Sequence, residues 1–397
     1  MEKTTSRFPV LDLVRGAAAL EVCANHVRRL LLQPYSDLKS PTLIDTGIYL
    51  ATSFAHQAVV VFFVLSGFLI GGSVHQAWLA NRWSWKKYGV QRLSRLWAVL
   101  VPCLVFTLLW DHVGAALSGG RGYDGTLADM MYFGIENNPP LDHSWPTVLG
   151  NLFFLQDIVT PMLGSNLALW SLANEFWYYV IFPLGFLALM GGVSKALRAL
   201  FALTALLICA AMPHSVLEGG IVWLMGYGGW LITHHEKAAR ILRKPWVGGM
   251  LSAVLLVSLA TVKQGHWLAS DYVLGACSSL LLPIVVSIRE LPAWLKRISF
   301  GLSDISYSLY LSHFPILALL IFGVLKKDHL WPGVESYSLY LGLMALLVLH
   351  AYGVWFLFEK RTPALRKQML SVVDRVSFGF RTPRESVVIP TSANKMP

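Results

Sequence analysis

The chain has 397 residues, 55% of them hydrophobic and 14% charged, with a mean hydropathy of +0.56, whereas an ordinary soluble domain carries about 25% charged residues. So few charges exclude disorder and most soluble folds, because such a surface cannot keep a chain dispersed in water. Lys and Arg outnumber Asp and Glu by 32 to 22, but their placement fits a membrane boundary rather than nucleic acid.

Apolar stretches of bilayer length recur between the charge clusters. They predict an all-α, polytopic membrane protein with about ten spans, near 9–31, 53–74, 93–115, 167–190, 199–213, 216–233, 247–263, 270–288, 303–325 and 336–358. With both termini placed in the cytoplasm, 24 of the 32 basic residues fall on inside segments, as the positive-inside rule expects. No cleavable signal peptide is expected, because the first apolar stretch contains Asp12, Arg15, Glu21 and His26. Residues 1–360 read as one transmembrane domain. The longest connection, about 116–166, holds Gly119-Gly120 and Pro139-Pro140 and is expected outside, as a partly ordered cap. Residues 361–397 form a basic, Ser/Thr/Pro-containing cytoplasmic tail, expected to be disordered beyond about Phe380. Cys23, Cys103, Cys209 and Cys277 all lie in apolar stretches and read as small core residues. His234-His235 stands alone in a basic loop and is expected to stay solvated, so no metal site is expected. There is no internal repeat of the kind that marks inverted-repeat transporters.

Ionisable groups inside spans cost about 2.5–3.5 kcal/mol each on insertion scales and therefore face protein or a wet cavity. Arg15 and His26 are eleven residues apart, so they share a helix face and sit roughly 16 Å apart along the axis. Asp12 lies on the same line, while Glu21, Asn25 and Arg28 form a second one. This first helix is the expected wall of a substrate path, although the same groups could simply hold the bundle together. In the second span, Ser66-Gly67 forms a small hydrogen-bonding notch. Arg92 and Arg95, at i and i+3, suit a bidentate phosphate clamp or, equally, anchoring at the membrane boundary. The fourth span places Ser171 and Glu175 one turn apart. Glu175 falls about 12 Å in from its outer end by helix rise, at a depth His26 could match. If the two paired, Glu175 would orient the imidazole as a base. In the ninth span, Ser306 to Pro315 carries hydroxyls and His313, which reads as structural or cavity-lining.

In this order the segments resemble the membrane-bound acyltransferase family 3. The pieces are Leu11-Asp12-Leu13-Val14-Arg15-Gly16 with His26, Phe62 to Ile70, Arg92 with Arg95, Trp170 to Glu175, Ser306 to Pro315, and Phe358-Glu359. The resemblance implies a ten-helix, multi-pass enzyme of the bacterial cytoplasmic (inner) membrane, surrounded by membrane lipids and holding no permanently bound cofactor. It would use acetyl-CoA or another acyl-CoA to O-acylate a carbohydrate or lipid-linked glycan, the product belonging to the cell envelope or being exported. Carried over by motif, Arg15 and His26 would be essential to catalysis. Arg92 and Arg95 would contact the coenzyme A phosphates, and Ser66, Gly67 and Glu175 would line the reaction path. His26 would act as general base, an acyl-His intermediate being a second route. Asp12, Glu21, Asn25, Ser171 and His313 would flank the substrate path. Leu13 stands where the family usually has Gly, and Glu359 is followed by Lys360-Arg361-Thr362-Pro363 instead of a basic residue and Pro directly. With most of the chain taken up by spans, a stand-alone enzyme without an appended hydrolase-like domain is expected. Intramembrane His, Glu and Arg equally mark translocation paths, so a transporter or flippase for a polar lipid-linked substrate is the alternative, and a structural subunit a third.

Overall fold

A computed structural model of the chain describes residues 7–125, 130, 141–262, 270–327 and 329–379. The Pro139-Pro140 step and the tail beyond Phe380 lie outside them. Among the described residues the fold is all-α, with two isolated β-bridges and no strand. Helix α1 (Pro9–Leu31) opens on a proline, whose missing N–H costs nothing in a first turn. Helix α2 (Leu43–Ala51) is started by a Thr42/Asp45 capping box. Helix α3 (Ala55–Ser66) runs through a π-turn at Gly67–Gly71 into α4 (Gly72–Leu79). Helix α5 (Trp85–Ser118) is capped by Ser84 and ends at Gly119, whose φ of 69° suits a residue without Cβ.

The remaining helices are α6 (Trp145–Leu152), α7 (Leu169–Met190), α8 (Lys195–Ala211), α9 (His214–His234), α10 (Glu236–Leu242) and α11 (Pro245–Thr261). They are followed by α12 (Asp271–Val285), α13 (Ala293–Ala318, continuing as a π-helical stretch), α14 (Val334–Leu357) and α15 (Thr362–Gly379). Over the described residues, each apolar segment read from the sequence therefore falls on helix, to within a few residues at its ends. Among the described residues five helical stretches are long and apolar enough to cross a membrane: Leu43–Leu79, Trp85–Ser118, Leu169–Met190, Ala293–Leu325 and Val334–Arg375. Helices α10 and α11 add a sixth candidate if taken together, bent by 69°. Large apolar side chains such as Val105, Leu109, Leu203, Leu206 and Leu256 point away from the protein. Water would penalise that surface and lipid accepts it. The chain is a multi-pass membrane protein.

Close helix approach is set by small residues. A Cβ on Gly16 would fall 2.5 Å from Leu302 Cβ, so α1 seats directly on α13. A Cβ on Gly67 would lie 1.8 Å from the Trp223 carbonyl oxygen, and one on Gly226 would lie 2.0 Å from that of Val64. These two glycines lock the π-turn against α9. Gly67 is therefore a packing residue, and it lines neither the chamber nor the vestibule described below.

The connection before α7 is more than a cap. Buried Asp111, near the end of α5, accepts from Ser165 N (2.8 Å), Ser165 Oγ (2.5 Å) and His143 Nε2 (2.8 Å). From there the chain descends along the flank of the bundle. Trp97 Nε1 donates to Leu152 O (3.1 Å), roughly 30 Å of helix rise from Ser118. Asn166 Nδ2 donates to Leu311 O (3.0 Å) and Gln156 Nε2 to Leu169 O (2.8 Å). Side-chain amides thus satisfy backbone carbonyls that have no water to bond. As a result α7 begins inside the protein, with Ala168 and Leu169 buried.

Replacing Gly226 by Val should overpack the α3–α9 contact and destabilise the protein by about 1–3 kcal/mol or more. Thermal unfolding in detergent should show a lower midpoint for Gly226→Val and no change for Gly228→Val, where a Cβ meets open space.

Candidate active site

Three arginines converge on a chamber of about 340 Å³ between α1, α3, α5, α7 and α13. Arg15, Arg92 and Arg95 line it, together with Ser66, Glu175 and Tyr307. Arg95 is paired with Glu359 (3.0 Å), a carboxylate that is 3% exposed and accepts a second bond from Ser308 Oγ (2.6 Å). Arg15 and Arg92 make no ion pair among the described residues, and Arg92 Nε is buried without a hydrogen-bond partner. The Arg92 guanidinium instead lies over the rings of Tyr88 (5.7 Å) and Tyr179 (5.8 Å). Guanidinium donors left open in a half-enclosed chamber suit an anionic ligand.

The chamber opens onto a wider vestibule of about 990 Å³, and Arg15, Leu69 and Arg95 line both. Arg7, Arg243, Arg289 and His234 line the vestibule alongside Trp230 and Trp355. His234 is not simply solvated: its Nδ1 donates to Trp230 O (2.9 Å). His235 accepts from Ala238 N (3.3 Å) and starts α10. Asp12 borders the vestibule, where it accepts from Ser303 Oγ (2.6 Å) and pairs with Arg7 (3.3 Å).

Glu175 does not meet His26. It accepts from Ser66 Oγ (2.8 Å) and from the Tyr179 hydroxyl. Ser66 Oγ in turn accepts from Trp223 Nε1 (3.1 Å). The reason is the inserted segment before α7: because that helix starts at the level of Leu311, Glu175 lies about 9 Å deeper by helix rise, beside the arginines. Ser171, expected on the path, lines the chamber where its Oγ meets the Tyr310 hydroxyl (2.6 Å). Tyr310 and Phe62, edge to face at 5.7 Å, form that end of the chamber.

His26 and His313 lie one turn further along α13. His26 Nδ1 is 2.7 Å from His313 Nε2, and the rings are within 13° of parallel. His313 is buried, its Nδ1 3.0 Å from Leu309 O and 2.9 Å from Tyr310 O. The second polar line of α1 has a structural occupation. Glu21 accepts from Phe54 N (2.7 Å), Asn25 donates to Thr52 O (2.7 Å), and Arg28 donates to Thr52 Oγ1 (2.9 Å). Together they satisfy the break between α2 and α3, and neither Glu21 nor Asn25 lines the chamber or the vestibule. Sequence reasoning missed Tyr179 and Tyr307; Tyr179 stands one turn after Glu175, a spacing that signals its contact.

An apolar bundle enclosing a polar chamber with unpaired arginines has the build of a membrane enzyme. The family model described as "Acyltransferase domain" matches residues 8–359, and the chain belongs to that acyltransferase 3 family. Over 375 residues it is 24% identical to the acyltransferase MdmB of Streptomyces mycarofaciens, an alignment covering 86% of this chain and 88% of that protein. No solved structure matches. The protein is a membrane acyltransferase.

Replacing Arg95 by Leu should strand the buried Glu359 carboxylate and cost about 1–3 kcal/mol of stability. The Arg95→Leu/Glu359→Leu double variant should regain most of that loss, because removing both partners leaves no unpaired charge. A double-mutant cycle on thermal unfolding measures the difference.

Proposed function

We propose that this protein is an integral-membrane O-acyltransferase, most simply an O-acetyltransferase, that moves an acyl group from acyl-coenzyme A to a hydroxyl of a cell-envelope, lipid-linked or exported glycan. The observation that carries this reading is the arginine-rich vestibule joined to a chamber with open guanidinium donors, whose Tyr310 lies one helix turn from His313 and its partner His26, although neither imidazole lines the chamber itself. In the arrangement we envisage, ten spans cross the bacterial cytoplasmic membrane with both termini inside. The vestibule then opens to the cytoplasm, where the donor is present. Its phosphates meet Arg92 and Arg95 as a charge-assisted clamp, which leaves the pantetheine arm to extend along the chamber.

His26 takes the proton of the acceptor hydroxyl as that oxygen adds to the thioester carbonyl. The C–S bond then breaks, and coenzyme A leaves as the thiol with the proton His26 had removed. Glu175, held by Ser66 and Tyr179, is placed against the arginines and so shapes the chamber's charge rather than orienting His26.

Membranes carrying the wild-type protein should transfer radiolabelled acetyl from acetyl-coenzyme A to glycan, and those carrying His26→Ala should not. Equal label with both proteins would remove His26 from the chemistry. No label with either folded protein, across several short acyl donors, would favour translocation of a lipid-linked substrate instead. Arg92→Ala should raise the KM for the donor by about tenfold or more, the loss of one or two charge-assisted hydrogen bonds, while leaving the KM for the acceptor unchanged.

A further inference from the structure

We infer that His313 is the positioning residue that fixes the tautomer of His26, so that the basic nitrogen of the pair is His26 Nε2; its catalytic part rests on the function proposed above. The hydrogen bonds leave one arrangement. The carbonyl oxygens of Leu309 and Tyr310, 3.0 and 2.9 Å from His313 Nδ1, can only accept, so that nitrogen carries the proton. In a neutral ring Nε2 of His313 is then a lone-pair acceptor. His26 Nδ1, 2.7 Å from it, must therefore be the donor. That leaves the lone pair of His26 on Nε2, which has no hydrogen-bond partner among the described residues and is not one of the polar atoms sealed from approach.

The surroundings hold this chain of contacts in place. Phe314 packs edge-on against His26 at 4.8 Å, and the His313 ring is enclosed within α13 by its own preceding turn. The orienting group is thus a second imidazole anchored to helix carbonyls, in the place the sequence had offered to a carboxylate. A neutral orienter places no further charge beside a base that works within an apolar bundle. When His26 gains a proton, His313 Nε2 still accepts from Nδ1, so the ring keeps its orientation throughout the transfer. The unpartnered Nε2 of His26 is then the atom that an acceptor hydroxyl must reach.

Histidine-selective 15N NMR of the full chain in nanodiscs reads the tautomer directly. The wild type should show His26, assigned by its loss in His26→Gln, with Nδ1 protonated and Nε2 bare. A wild-type His26 protonated on Nε2 overturns the inference, whether or not any variant folds. In His313→Leu the His26 signals should shift towards a mixture of tautomers. Its kcat should fall roughly 10²–10⁴-fold, the range for losing general-base action or its orienter, with donor KM within about twofold of wild type. His313→Gln, whose amide oxygen can accept from Nδ1, should recover at least tenfold of that loss. Unchanged kcat and tautomer in a folded His313→Leu overturn the inference. Absence of acyl transfer by the wild type overturns the enzymatic reading instead, a result on which the spectrum does not depend.

Discussion

Five charged side chains on one 23-residue helix, Asp12, Arg15, Glu21, Arg28 and Arg29, could not stand in hydrocarbon without compensation, and much of the bundle is organised around supplying it. Asp12 is met by Ser303 on α13 and by Arg7, Glu21 by a backbone N–H freed where α2 ends, and Arg28 by Thr52. Arg15 is the exception: no carboxylate is paired with it among the described residues, and it stands where chamber and vestibule join. Desolvation therefore sorts the helix into groups that build and a group that faces space. The site lies where that helix face carries a cation that makes no ion pair among the described residues.

Close approach serves the same end. The glycine contacts between the π-turn and α9 bring Trp223 within hydrogen-bonding distance of Ser66, which in turn holds Glu175. A π-turn widens the helix by a residue and re-aims the turns beyond it. Ser66 sits at its start. Packing and polarity are thus joined at one point, where a backbone irregularity lets three helices share a hydrogen-bonded centre.

Much of this was legible in the sequence, for identifiable reasons. Bilayer-length apolar stretches and the motif order are one-dimensional signals, so the helices and the family followed from them, and Arg15, Arg92, Arg95 and Glu175 each stood out as a site candidate without their meeting in one chamber being foreseen. The depth of Glu175 did not, because it depends on where α7 begins. That in turn depends on Asn166, Gln156 and Trp97 holding a non-helical segment inside the bundle. Nor did the pairing of His26 with His313 rather than Glu175, since a partner 287 residues away leaves no periodicity to read. The second polar line of α1 looked like a path because helical spacing reports which residues share a face, not what that face meets.

The segment entering α7 also alters what inside and outside mean for this chain. Trp145, Leu149, Phe153 and Val159 turn outward while Thr147, Gly150 and Asn151 turn inward, the division expected of a stretch solvated by lipid on one side and protein on the other. A boundary drawn by counting charges assigns these residues to water, whereas their own surface matches acyl chains. Exchanging this connection between relatives would thus transplant part of the bundle wall, along with the carbonyl that holds Trp97, and the graft would have to fit as core does rather than as a surface loop does.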